Sequence, residues 1–361
     1  MQYKHRFSFS PLLSALFVAL LSACSSADGV SGRGDDAAED YAVTFAASDG
    51  WNEVKGTRSG DAASSASDGD ASVSGVASYA SANASSFVSG DAFSLFAYHN
   101  DSSVPDFMNR QRVSFDGTSW TYSPTKYWPH TDGDRLSFYA TSPYSAVAAG
   151  DVSVTATADG HPTAAYDNTR ADIDWTVAKR EAVTYATGKD GVTLNFQHLT
   201  ARVRFRFTVV GETEAEDYRP VVHLLQYDVP HIVGTTQFED GTGSAISCAH
   251  ADKGDLVTLK RFVSQPEGVS VSKTGTTIDE FTAYLSPCSF PCSGDAATKG
   301  SFTISLNNIA YTVTPSEMIK VEQGKSYTVN FNIEKANNTS NFFITSYSIW
   351  EDGGEYEGNL N

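Results

Sequence analysis

At 361 residues, with 40% hydrophobic, 12% aromatic and only 19% charged side chains, the chain can bury one large core or two ordinary ones. Its formal net charge of -18 excludes a nucleic-acid partner and adsorption to anionic lipid headgroups, since both need clustered Lys and Arg. Few charges, 28 Gly and many Ser and Thr predict an all-β extracellular protein.

Residues 1–23 read as a signal peptide. Lys4 and Arg6 give a positive start, and the apolar run Leu12 to Leu21 is shorter than the roughly 20 residues of a membrane-spanning helix. Leu21-Ser22-Ala23-Cys24 has the form of a bacterial lipobox, which makes Cys24 the lipid acceptor and new N-terminus. Several acyl chains there, palmitate among them, would hold the protein firmly in the outer membrane, where one chain binds only marginally. Residues 24–40 then form a lipidated, acidic tether (Asp28, Asp35, Asp36, Glu39, Asp40) similar to export signals that send lipoproteins to the outer face. Within it, Arg33-Gly34-Asp35 spells an integrin-binding tripeptide, read here as a chance triplet in a Gly/Asp-rich linker.

Residues 41–190 are expected to form a first β-sandwich domain. Tyr41 to Phe45 alternates as a short strand, Arg58 follows, and residues 59–85 are Ser/Ala/Gly/Asp of low complexity, predicted to be a flexible loop. So long a connection isolates the first strand from its domain, as though that strand were meant to leave. Asp91 to Tyr98 resumes β-structure. Val113 to Phe115 and Trp120 to Tyr122 form a hairpin over Asp116-Gly117. The aromatic stretch from Trp120 to Tyr144 reads as a further hairpin about a polar turn at His130 to Asp134. Val152 to Ala156 and Ala182 to Ala186 are short strands.

Residues 191–361 are expected to form a second sandwich. After Val192 to Leu199 comes the cleanest period-two run, with Val203, Phe205, Phe207 and Val209 on one face and Arg202, Arg204 and Arg206 on the other. That arginine row reads as a solvated face paired with the protein's own carboxylates. Strands are predicted at Val221–Tyr227, Leu256–Val263, Phe281–Leu285, Ser301–Leu306, Tyr311–Thr314 and Tyr327–Ile333. Phe342 to Trp350 has strand composition, with Phe343, Thr345, Tyr347 and Ile349 on one face.

Chemistry is scarce. Cys248, Cys288 and Cys292 remain once Cys24 is lipidated; Cys288 and Cys292 can close a small loop by a disulfide, or Cys248 can pair with either. No zinc spacing occurs, and the oxygen clusters His130 to Asp134 and Asp172 to Asp174 lack the calcium loop, so no metal or cofactor is expected. Without a nucleophile elbow, phosphate loop or dinucleotide fingerprint, the chain reads as a non-enzyme.

Trp120-Thr-Tyr-Ser-Pro-Thr-Lys-Tyr-Trp-Pro129, the Phe-rich strand ending in Pro143-Tyr144, Asp91-Ala-Phe-Ser-Leu-Phe-Ala-Tyr98, Phe196-Gln-His-Leu199 and Gly324-Lys-Ser-Tyr327 together resemble the fimbrillin family, pilin-like surface lipoproteins of anaerobic Gram-negative bacteria. The resemblance covers nearly the whole mature chain and implies transthyretin-like sandwiches in both halves. It implies cleavage by an arginine-specific protease after the first strand, here at Arg58, and then assembly with other copies or other pilins by donor-strand exchange. Phe343, Thr345, Tyr347 and Ile349 would then lie on the donor, or on the closing strand of their own sandwich. Two alternatives stand beside it. One is an anchor or tip subunit. The other is a monomeric lipid-anchored protein binding glycans or host ligands through Trp120, Trp128 or Trp350.

Overall fold

A computed structural model describes residues 41–49, 87–100, 102–129, 131–145, 153–156, 162–211, 219–237, 246–335, 342–351 and 354–358. The signal, the tether with Cys24, Arg58 and the 59–85 segment lie outside the described residues. The first nine strands are β1 (Phe45–Asp49), β2 (Ala92–His99), β3 (Met108–Phe115), β4 (Trp120–Thr121), β5 (Leu136–Ser142), β6 (Ser153–Ala156), β7 (Pro162–Asp167), β8 (Thr176–Val183) and β9 (Val192–His198). There follow β10 (Ala201–Val209), β11 (Val221–Gln237), β12 (Ser247–Phe262), β13 (Val269–Ser270), β14 (Thr276–Leu285), β15 (Cys288–Phe290), β16 (Cys292–Ser293) and β17 (Asp295–Lys299). The last are β18 (Phe302–Leu306), β19 (Ile309–Val313), β20 (Ile319–Val321), β21 (Ser326–Lys335), β22 (Phe342–Glu351) and β23 (Gly354–Gly358). The chain is all-β. Helix among the described residues is confined to short turns such as Tyr185–Gly188 and Asn168–Arg170.

A seven-stranded sheet runs β1-β9-β8-β5-β2-β3-β4. Strand β2 is buried on both faces: Phe93, Leu95 and Ala97 enter one core, while Phe96 and Tyr98 enter another with Tyr139, Tyr166 and Trp175. In the second half a five-stranded sheet, β14-β10-β21-β22-β23, packs on the sheet built around β11 and β18. Between them Phe205, Phe207, Tyr227, Phe302 and Phe331 form a continuous aromatic core with ring centroids 5.3 to 6.3 Å apart. Burial of that kind is the main driving term of the fold. Strand β7 pairs with β11, Val233 opposite Asp167, so a strand of the first half joins a sheet of the second.

Several predicted elements shift. The opening strand is Phe45–Asp49, not Tyr41–Phe45. Residues 41–43 meet the irregular Lys126–Trp128 segment between two prolines, which supports a single bridge, Ala42 to Tyr127, and no ladder. The stretch from Trp120 to Tyr144 is not a hairpin. Its two strands are separated by β2 and β3 because the intervening segment drives Trp128 (2% exposed) into the core. The turn within it is formed as expected, Asp134 N donating to Thr131 O at 3.0 Å with Gly133 at φ +89°. Ala182–Ala186 is not a strand: β8 ends at Val183, and Thr184 starts a helical turn whose Gly188 lies where a Cβ would strike the Trp128 ring. Strands β11 and β12, 17 and 16 residues long, overrun their predicted limits and pair past a register shift at Pro230/Ile232.

Where β7, β11 and β12 meet, His231 is gripped on both ring nitrogens. Its Nδ1 lies 2.8 Å from Asp255 Oδ1, and its Nε2 lies 3.1 Å from both Asp167 oxygens. Only the imidazolium donates from both nitrogens at once. Hydrogen bonding to Asp167, then to Asp255, accordingly raises the His231 pKa from 6.5. Desolvation pushes the Asp167 carboxyl up, but bonds from the Thr169 amide and His231 hold it below 3.8 overall. A raised histidine contributes fully below its unfolded pKa of about 6.5 and loses that contribution as pH climbs through the higher folded value. A depressed aspartate contributes above about 4 and loses it as pH falls through the lower folded value. The clip is therefore strongest between roughly pH 4 and 6.5. His231→Gln is expected to lower the melting temperature more at pH 5.5 than at pH 9; equal losses at both would remove the charge from the account.

Candidate functional site

The first described segment is a strap along one edge of the seven-stranded sheet. Strand β1 pairs with β9 in parallel, from Phe45 opposite Val192 to Asp49 opposite Phe196. Ahead of the ladder, Val192 N donates to Thr44 O at 2.8 Å, Val43 N to Lys126 O at 2.9 Å and Trp128 N to Tyr41 O at 2.8 Å. Val43 and Phe45 turn inward, 1% and 8% exposed. The Phe45 ring sits 5.6 Å from Phe138, edge-on, and 5.6 Å from Tyr122. Tyr122, second aromatic of the Trp-Thr-Tyr run, donates its hydroxyl to Val43 O at 2.7 Å, and its burial raises its pKa. Tyr41 stacks on Tyr185 at 5.3 Å, and Ser48 Oγ donates to Asn195 Oδ1 at 2.8 Å.

The chain returns from its long connection onto the same place. Phe87 packs 5.6 Å from Phe196 and 5.0 Å from Trp120, which is itself 4.8 Å from Phe93. Trp128 is interior, and Trp120 is half-buried and packs against Phe87, Phe93 and Phe115.

The C-terminal segment forms β22 and pairs antiparallel with β21 of its own chain, with β23 outside it. Opposite the buried row Val329, Phe331 and Ile333 stand Ile349, Tyr347 and Ile344. A register shift at Thr345, whose hydroxyl donates to Asn332 O at 3.5 Å, sets Phe343 opposite Glu334. The expected unbroken face Phe343, Thr345, Tyr347 and Ile349 is thus interrupted by a bulge. The thiols of Cys248, Cys288 and Cys292 are free. The bridge expected between Cys288 and Cys292 is not formed, and Cys292 Sγ donates instead to Ser289 O at 3.2 Å. Among the described residues no His, Cys, Asp and Glu cluster could hold a metal.

The fimbrillin-like family profile matches residues 80–346, and the chain belongs to that family. Among solved structures it is similar to a fimbrial protein from Bacteroides vulgatus ATCC 8482, at 16% identity over 73% of this chain and 92% of that one, with a TM-score of 0.44. It is also similar to a fimbrial protein from Bacteroides ovatus ATCC 8483, at 15% identity over 69% of this chain and 44% of that one, TM-score 0.32. A third is the C-terminally truncated tip fimbrial protein Mfa3 from Porphyromonas gingivalis, at 9% identity over 73% and 94%, TM-score 0.31. No curated protein matches. Membership in the family makes this a surface protein of fimbrial type.

Proposed function

We propose that the chain is a structural subunit of surface fimbriae. It is exported as an outer-membrane lipoprotein on Cys24, cut after Arg58, and joined to its neighbours by donor-strand exchange. The observation that carries this is the position of β1. It is a terminal edge strand, covalently continuous with the sheet only through the connection that contains Arg58. Loss of the strap uncovers the backbone edge of β9 and the sites filled by Val43 and Phe45. An open edge beside apolar pockets is a template for strand addition. Refilling those two pockets returns about 3–6 kcal/mol before ordering costs. The donor is the β22 segment of another subunit, which carries Phe343, Thr345, Tyr347 and Ile349.

The N-terminus of the protein taken from cells tests the reading. A mature form beginning at Ser59 is expected, and Arg58→Ala should leave a folded, longer monomer. A surface form that keeps lipidated Cys24 while polymers persist overturns exchange by this route. Cys24→Ala separately tests the anchor: it should abolish palmitate incorporation and membrane fractionation, and retention of both would end the lipoprotein reading.

A further inference from the structure

Along the outer face of the five-stranded sheet, the pairing of β10 with β14 breaks. Val203 opposes Ala283 and Phe205 opposes Ile278, so the single residue Arg204 faces the four residues 279–282. Bulges far smaller than this re-aim side chains beside functional sites. The excursion is built in rather than frayed. Phe281 at its centre is 0% exposed, 6.1 Å from the Phe207 ring, and Glu280 accepts from Ser264 Oγ at 2.8 Å. At its end Tyr284 N donates to Ala171 O at 2.8 Å, bringing in the turn that carries Asp172.

The bulge opens a cavity of about 410 Å³. Half-buried Arg202, Arg204 and Arg261 line it together with exposed Asp279 and Glu280 and half-buried Tyr284. Arg202 Nε is held by Ser326 Oγ at 2.9 Å. Arg261 keeps its Nε out of solvent with no acceptor among the described residues. A buried donor without an acceptor is costly, and a shift of the Arg261 side chain toward a ligand oxygen would relieve it.

We propose that this cavity binds a sugar acid, a pyranose bearing a carboxylate and presented on a surface glycan. Guanidinium forks pair with one carboxylate. Asp279 and Glu280 are acceptors only, and they suit hydroxyl donors. The lining holds three Arg against Asp172, Asp279 and Glu280, a formal balance of zero, so a polyanion gains nothing from it. A phosphate or sulfate cluster would also meet the rim carboxylates with like charge. The volume suits a single ring with its substituents, and the open side leaves room for the rest of a glycan. The lining residues belong to β10, β12, β14 and the Asp172 turn, and none of them lies on β1, β9 or β22, so the site is distinct from the strands proposed for exchange.

The test is calorimetric titration of the full chain with D-glucuronate and N-acetylneuraminate, against D-glucose and acetate as probes lacking one half of the chemistry. Saturable binding of at least one sugar acid is expected, with glucose and acetate weaker by about tenfold or more. Arg261→Gln should reduce that affinity about tenfold or more. Because the Arg261 Nε is buried, Asp279→Asn on the exposed bulge serves as the second variant; it should keep the wild-type melting temperature and weaken the sugar acid while leaving acetate unchanged. Glucose binding as tightly as the acids, no sugar-acid binding at millimolar concentration, or full affinity in Asp279→Asn would each overturn the proposal.

Discussion

Replacing Phe45 by alanine is expected to cost about 3–5 kcal/mol of stability, the range for emptying a buried aromatic site. The ring is wedged between Phe138 and Tyr122, and β9 beneath it is a continuous strand that cannot collapse into the void. Melting should fall by roughly ten degrees, at a few degrees per kcal/mol for a domain of this size. The amides of Val192 to Phe196 should also exchange faster, because the strap is their cover. Calorimetry and hydrogen exchange read the two effects together. A melting temperature unchanged within a degree would place β1 outside the cooperative unit, and the proposed precursor latch would have no basis.

Deleting residues 341–361 should do the reverse: a small effect on the monomer and a complete one on assembly. The deletion removes the last two strands of the sheet, β22 and β23, and the described side chains of β22, Ile344, Thr345 and Ser346, are only half-buried. The ladder to β21 nets about 1 kcal/mol per hydrogen bond, and ordering each residue of the segment costs a similar amount. The remaining core, with Tyr327, Val329, Phe331 and Ile333 against β10, is untouched. A truncated chain should therefore melt only a few degrees lower while failing to extend a fibre. A truncated monomer that unfolds at room temperature would mark β22 as integral and remove it as a donor.

How far the sequence could be read depended on whether a strand carried its own pattern. Strand β10 did: burial alternates strictly from Ala201 to Val209, as its Phe and Arg spacing predicts. The Asp116-Gly117 turn did too, with Gly117 at φ +100° and Ser114 opposite Thr121. Strand β8 hid because Lys179, Arg180 and Glu181 sit in its middle, and Lys179 and Glu181 are stabilised by an ion pair at 3.2 Å rather than by apolar alternation. The long β11–β12 hairpin hid behind Pro230 and the polar run Asp252 to Asp255, tolerated because they fall at its register shift. For the candidate site, the early strand and its long connection were visible, but its parallel pairing with β9, nearly 150 residues away, was not. The arginine row was legible and its cavity was not, since no period in Thr276–Leu285 marks a four-residue bulge.

Asp49 lies opposite Phe196, and Phe87 rests on the ring of that same residue. The excursion of residues 50–86 thus leaves and rejoins the protein at one point. A span so short needs only three or four residues at about 3.3 Å each. The sequence spends thirty or so more, and closing a loop of that length rather than a four-residue turn costs about 2 kcal/mol. Reach is not what those residues supply. One broken peptide bond anywhere between Asp49 and Phe87 leaves every described hydrogen bond in place while turning an intramolecular strand into a ligand.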